Sequence, residues 1–92
     1  MNFSERLERA RGGLIRVRSS IYVDRIGWTR ETEHICVLID TNPPLGDIEG
    51  WTEKVGAGSR RHRISVLLMG SPRVIWVSAA DVQFLTGSFR GD

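Results

Sequence analysis

The sequence predicts a mainly β fold: a small five-stranded barrel with a short N-terminal helix and one long loop. Its last third carries most of that prediction. Arg63-Ile-Ser-Val-Leu-Leu-Met69 and Arg73-Val-Ile-Trp-Val-Ser78 are apolar, β-branched runs on either side of Gly70-Ser71-Pro72, the pattern of a hairpin. Ala79-Ala-Asp-Val82 then suits a single 3₁₀ turn, and Gln83–Leu85 a short closing strand. The third observation is the entry Gly12-Gly13-Leu-Ile-Arg-Val-Arg18. There Ile15 and Val17 alternate with Arg16 and Arg18, as in a half-buried strand.

The elements follow in order. Residues 3–11 form a helix with Ser4 as N-cap, Glu5 in the first turn, and Arg9 and Arg11 in the last, matching the helix dipole. Phe3, Leu7 and Ala10 share one face, and Gly12-Gly13 ends the helix. So short a helix needs something to hold its apolar face. Ser19–Glu33 is a polar excursion containing Ile21, Tyr22, Val23, Ile26 and Trp28, read as an irregular hairpin over one end of the barrel. His34–Asp40 is a strand without alternation, since Ile35, Cys36, Val37, Leu38 and Ile39 are all apolar. Such a strand is covered on both faces. Thr41–His62 reads as a long loop, opened by Asn42-Pro43-Pro44 and closed by Gly56-Ala-Gly-Ser59, with Ile48 and Trp51 packing part of it. The predicted organisation is a helix or docking arm over 1–11, a barrel over 12–86 and a flexible tail over 87–92.

Composition narrows the classes of function. An apolar share of 40% and a charged share of 26% are those of an ordinary globular domain, and 92 residues make one such domain. Cys36 is the single cysteine, so no disulfide can form within the chain; it reads as a small buried hydrophobe and fits a reducing compartment. No apolar stretch reaches the roughly 20 residues that cross a bilayer. The mixed charge of Met1–Arg11 suits neither a signal peptide nor a transit peptide, so the expectation is a chain that is cytoplasmic at synthesis. The net charge is only +2, yet Lys54 is the single lysine among 13 basic residues. The arginines suit planar recognition of carboxylates or phosphates, or else reflect base composition alone.

Taken in order, these elements resemble an SH3-like barrel over about residues 12–86. Gly13-Leu-Ile-Arg-Val17 is similar to its opening strand and Ser19–Glu33 to its first large loop. Ile64–Val77 is similar to its third and fourth strands, and Ala79-Ala-Asp-Val82 to the 3₁₀ turn before the last strand. The nearest likeness is to the short SH3-like proteins of tailed phages, whose ends resemble Trp76-Val-Ser-Ala-Ala-Asp-Val-Gln-Phe84. That resemblance implies a small binding or virion-assembly module, and with it a place in a virion. Polyproline recognition is a poorer comparison: Tyr22 and Trp28 lack an acidic cluster between them.

Chemistry-bearing residues are sparse. His34 and Cys36 share a strand face, but no third group orients them, and the bland reading is a strand-end histidine beside a packed cysteine. Two histidines and one cysteine fall short of a closed zinc site. Gly56-Ala-Gly-Ser59 lacks the strand–glycine–helix context and the adjacent Lys-Ser/Thr pair of a phosphate loop. No catalytic residue, metal, cofactor or small-molecule substrate is expected. Barrel patterning places Ile15, Val17, Ile35, Val37, Ile39, Ile64, Val66, Leu68 and either Trp76 or Ile75 inside. Cys36, Leu38, Leu67 and Met69 would then face outward. Either the helix bearing Phe3 and Leu7 or another subunit must cover them.

The expected function is therefore a non-enzymatic protein–protein interaction module, a small phage or virion structural or assembly protein. Its contact residues would be Phe3, Leu7, Trp28, Leu38, Trp51, Leu67 and Met69, meeting a protein partner or further copies of the chain. The alternative is a nucleic-acid-binding module using Arg16, Arg18, Arg60, Arg61, Arg63 and Arg73. Against it, Asp24, Glu31, Glu33, Asp47, Glu49 and Glu53 dilute the positive field, and strand arginines also serve to deter edge pairing.

Overall fold

In the computed structural model of the chain, residues 2–44, 46, 48–56 and 62–85 are described. The fold is mainly β. In chain order the elements are α1 (Phe3–Arg9), β1 (Leu14–Val17), β2 (Ile21–Val23), β3 (Gly27–Trp28), β4 (His34–Asp40), β5 (Gly50–Thr52), α2 (Glu53–Gly56), β6 (Arg63–Leu68), β7 (Val74–Ser78), a 3₁₀ turn (Ala79–Asp81) and β8 (Val82–Phe84). The strands make one eight-stranded sheet in the order β3-β2-β5-β7-β6-β4-β1-β8. All neighbours are antiparallel except β5 and β7, which run parallel. In place of a closed five-stranded barrel, the sheet is open, with β3 and β8 at its two ends.

The hairpin of the last third forms as its sequence predicts, with Gly70 at φ 84 in its turn, a conformation that favours glycine. The Ser19–Glu33 excursion is a true hairpin that widens the sheet through β5 instead of folding over one end. The larger departure lies within Thr41–His62. Gly50–Thr52 is a strand, set between β2 and β7, and Glu53–Gly56 a single helical turn. A bare glycine makes that insertion feasible. A Cβ on Gly50 would collide with the Tyr22 carbonyl oxygen and lie 2.7 Å from Ile75 Cδ1. Three residues starting with glycine carry no periodic pattern, so this strand reads as loop in the sequence.

Helix α1 starts earlier than Ser4 suggests. Asn2 is the cap: its side-chain oxygen accepts from Glu5 N at 2.9 Å, and the Glu5 carboxylate accepts from Asn2 N at 3.5 Å. Leu7 is fully buried in the core, so the helix packs on its own sheet. Phe3 lies edge-on to Phe84 at 5.7 Å, and the Arg6 guanidinium sits 4.5 Å over the same ring. At the far end, Arg11 and Thr41 both donate to Glu8 at 2.7 Å. These bonds hold the Glu8 carboxyl below its usual range, the Arg11 bond contributing most. Beyond Gly12, at φ 81, the chain joins the sheet at once: Gly12 N donates to Leu38 O, and Leu38 N to Gly13 O.

Leu7, Ile15, Val17, Ile21, Val23, Cys36, Leu38, Ile64, Val66, Leu68, Ile75, Val77 and Ala79 form the core. Two expectations need correction here. Cys36 and Leu38 point inward, while Ile35, Val37 and Ile39 lie on the outer face, the reverse of the parity expected for this strand. Both sets are apolar, so alternation could not choose between them. Pairing does: Ile15 opposes Cys36 and Cys36 opposes Leu68, one inward row across β1, β4 and β6. Of the pair left open, Ile75 is the inward residue and Trp76 faces out.

The lone lysine ties the inserted segment to the end of the sheet. Lys54 Nζ donates to Asp81 Oδ1 at 2.7 Å, and the Asp81 side chain retains only 9% of its exposure. Removing the lysine would leave a buried carboxylate whose other oxygen, Oδ2, already has no partner. Lys54→Met is expected to lower unfolding free energy by about 1–3 kcal/mol in urea melts. A midpoint equal to the parent's would show that the pair contributes nothing.

Candidate interaction face

The sheet has one face closed by the core and α1, and an outer face crossed by two rows of side chains. The aliphatic row runs Leu14, Val37, Leu67, Val74, each directly opposite the next across β1, β4, β6 and β7. Residues directly opposite share a face, so the row is continuous. Ile35, Ile39 and Met69 flank it and are 38%, 40% and 51% exposed. Ile39 is turned out beside a register shift between Leu38 and Asp40, the mark of a bulge.

The second row is aromatic: Trp28, Tyr22, Trp51 and Trp76 on β3, β2, β5 and β7. Tyr22 stacks on Trp51 at 4.8 Å and 29°, and meets Trp28 edge-on at 5.5 Å and 68°. Gly56 rests on the other part of Trp51, where an added Cβ would lie 2.7 Å from the indole Nε1. The guanidinium of Arg63 lies 4.0 Å over the ring of Trp76. Trp28, at the end of the row, keeps 52% of its surface.

The expected contact residues divide accordingly. Leu67, Met69, Trp28 and Trp51 lie on the outer face or its rim. Phe3 is exposed at the helix end against Phe84, away from both rows. Leu7 and Leu38 are fully buried and belong to the core, a correction that follows from the parity of β4 and the seating of α1. Leu14, Ile35, Val37, Ile39, Tyr22, Val74 and Trp76 share the outer face and are not among the expected contact residues. The alternation of Arg16 and Arg18 with Ile15 and Val17 already places Leu14 outside, and pairing then carries Val37 out with it.

Among the described residues the arginines do not converge. Arg63 opposes Ser78 at one end of the β6–β7 hairpin, whereas Arg73 follows its turn at the other. Arg16 opposes Ile35, two strands from β6, and Arg18 is exposed beyond β1. Arg16 is matched by Glu33 at 3.4 Å and Arg73 by Glu49 at 3.9 Å. Arg60 and Arg61 lie outside the described residues.

His34 and Cys36 do not form a base and nucleophile. Nε2 of His34 lies 3.1 Å from both the Thr29 hydroxyl and the Glu31 carbonyl, while the Cys36 thiol points into the core and is aimed at the His34 carbonyl at 4.0 Å. Among the described residues no group of three or more His, Cys, Asp or Glu is placed to hold a metal ion, and no described helix is long and apolar enough to cross a membrane. Compared with known proteins, the chain matches no protein family, no curated protein and no solved structure.

Burial pushes the Cys36 thiol up to about 12 from an ordinary value of 9.0. Between those values the unfolded chain releases the proton and the folded chain keeps it. The stability is therefore full below the lower value and falls with rising pH through the window, by about 1.4 kcal/mol per pH unit. Urea melts above about pH 9 are expected to show a steeper loss for the parent than for Cys36→Ala. Parallel pH dependence in the two chains would place the thiol in water.

Proposed function

We propose that this protein is a non-enzymatic protein–protein interaction module with an SH3-like organisation of its β strands, serving as a small phage or virion structural or assembly protein. The observation that carries the contact function is the continuous aliphatic row Leu14–Val37–Leu67–Val74, widened by Ile35, Ile39 and Met69. Helix α1 is committed to the opposite side of the sheet through Leu7, so it leaves this row open to a partner. Contiguous apolar surface of this kind marks interaction sites. The order of strands after β6, ending in a 3₁₀ turn and a short strand, supports the SH3-like part of the reading, and the phage setting rests on the sequence likeness described above.

Nucleic-acid binding draws less support from the same geometry. Base stacking needs open aromatic faces and a cationic track beside them. Here Tyr22 and Trp51 spend faces on each other, Arg63 covers Trp76, and Arg16 and Arg73 are matched by acids. A salt titration with mixed RNA and DNA is expected to show no steep salt-dependent affinity.

Light scattering tests the contact face directly. The parent is expected to run above the 10.4 kDa of one chain, through its own aliphatic rows or a bound partner. Leu67→Asp should run at the single-chain mass with an unchanged circular dichroism spectrum, because Leu67 lies on the outer face and its loss leaves the core intact. Equal masses for parent and variant would overturn the reading, and Val37→Asp on the neighbouring strand should repeat the result.

A further inference from the structure

We infer that the cleft beside Trp28 is a binding site for an arginine side chain of a protein partner. It rests on the reading of the protein as a contact module, but uses the end of the sheet remote from the aliphatic row. The cleft has a volume of about 450 Å³ and is lined by Ser19, Ser20, Trp28 and Glu53. Its parts come from separate elements: Trp28 from the edge strand β3, Glu53 from the start of α2, and the two serines from the connection between β1 and β2.

Each part suits a guanidinium. Trp28 is an exposed indole, yet it is held in place by its edge-on contact with Tyr22, which is itself stacked on Trp51. An indole fixed in this way offers a cation–π surface at low ordering cost. The Glu53 carboxylate makes no hydrogen bond or ion pair among the described residues, whereas Glu8, Glu33, Glu49 and Asp81 each have a cationic partner. A free carboxylate beside an aromatic surface complements a planar cation that can stack and donate a fork of hydrogen bonds, which describes arginine better than lysine. The Ser19 hydroxyl donates to the Ser20 carbonyl, leaving its own lone pairs as further acceptors. The same carboxylate repels phosphate, which separates this site from any nucleic-acid role.

The three tryptophans give a direct readout. With the ¹⁵N-labelled full chain, the indole signal of Trp28, identified by its absence in Trp28→Phe, is expected to move on addition of N-acetyl-arginine methylamide. The neutral isostere N-acetyl-citrulline methylamide should leave it in place. Glu53→Gln is expected to weaken the arginine response about fivefold to tenfold, and the lysine analogue to bind less well than arginine. An equal response to citrulline, or a response unchanged in Glu53→Gln, would overturn the assignment. A parent oligomer that Glu53→Gln dissociates would place a second copy's arginine in the cleft and overturn a separate partner. Because Leu67→Asp leaves the cleft intact, it should bind the arginine probe normally, so failure of the aliphatic face and failure of the cleft are read separately.

Discussion

Ile15 opposes Cys36 and Cys36 opposes Leu68, and this inward row sets the parity of three adjacent strands on which the rest of the structure depends. A one-residue slip of β4 would exchange its faces, sending Ile35, Val37 and Ile39 into the core and Cys36 and Leu38 into water. Hydrophobicity alone barely resists such a slip, because both faces of β4 are apolar. Its surroundings resist it instead. Gly12 and Gly13 bond Leu38 from one side, Leu67 and Leu68 bind the other strand edge in register, and the bulge near Asp40 ends the regular ladder. The same row decides which apolar residues lie on the outer face.

Helix α1 follows from this arrangement. With Leu38 turned inward, Leu7 joins it in one buried cluster, which seats the helix on the closed side of the sheet. Its capping box and its contacts with Phe84 and Thr41 then fix both of its ends. A seven-residue helix gains little from its own backbone, so its stability derives from Leu7 and these tertiary contacts. The outer face is left uncovered as a direct result.

Several features are legible in the sequence. The last-third hairpin, the 3₁₀ turn, the closing strand and the bounds of β4 could be read from β-branched runs and turn residues, and the presence of an outward apolar face could be read from strands apolar on both sides. Leu67 and Met69 were placed on that face correctly. The identity of its other members was not legible, because the choice between Ile35–Val37–Ile39 and Cys36–Leu38 is made by pairing with β1 and β6, which no local pattern encodes. The open sheet was hidden for a related reason. Barrel closure is inferred from a count of strands, and β2, β3 and β5 are too short to show a period of their own. The size of Trp51 draws attention to it, but its place between Tyr22 and Trp76 depends on the antiparallel pairing of β5 with β2 and its parallel pairing with β7.

That parallel pairing divides the sheet mechanically. Among the described residues, β2, β3 and β5 pair with the remaining strands only through Gly50–Ile75 and Trp51–Trp76, supplemented by the Glu49 N to Val74 O and Val74 N to Glu49 Oε1 bonds, the Arg73–Glu49 and Lys54–Asp81 pairs and the Thr29–His34 contact. On the other side of the seam, β6 meets β7 through five consecutive residue pairs. Backbone pairing is thus shorter across the seam than beside it, and the burial of Ile21 and Val23 in the common core supplies cohesion that the ladder does not. The aromatic row crosses the same line between Trp51 and Trp76, so a partner gripping both rings would bridge the seam and couple occupancy of the surface to the integrity of the fold.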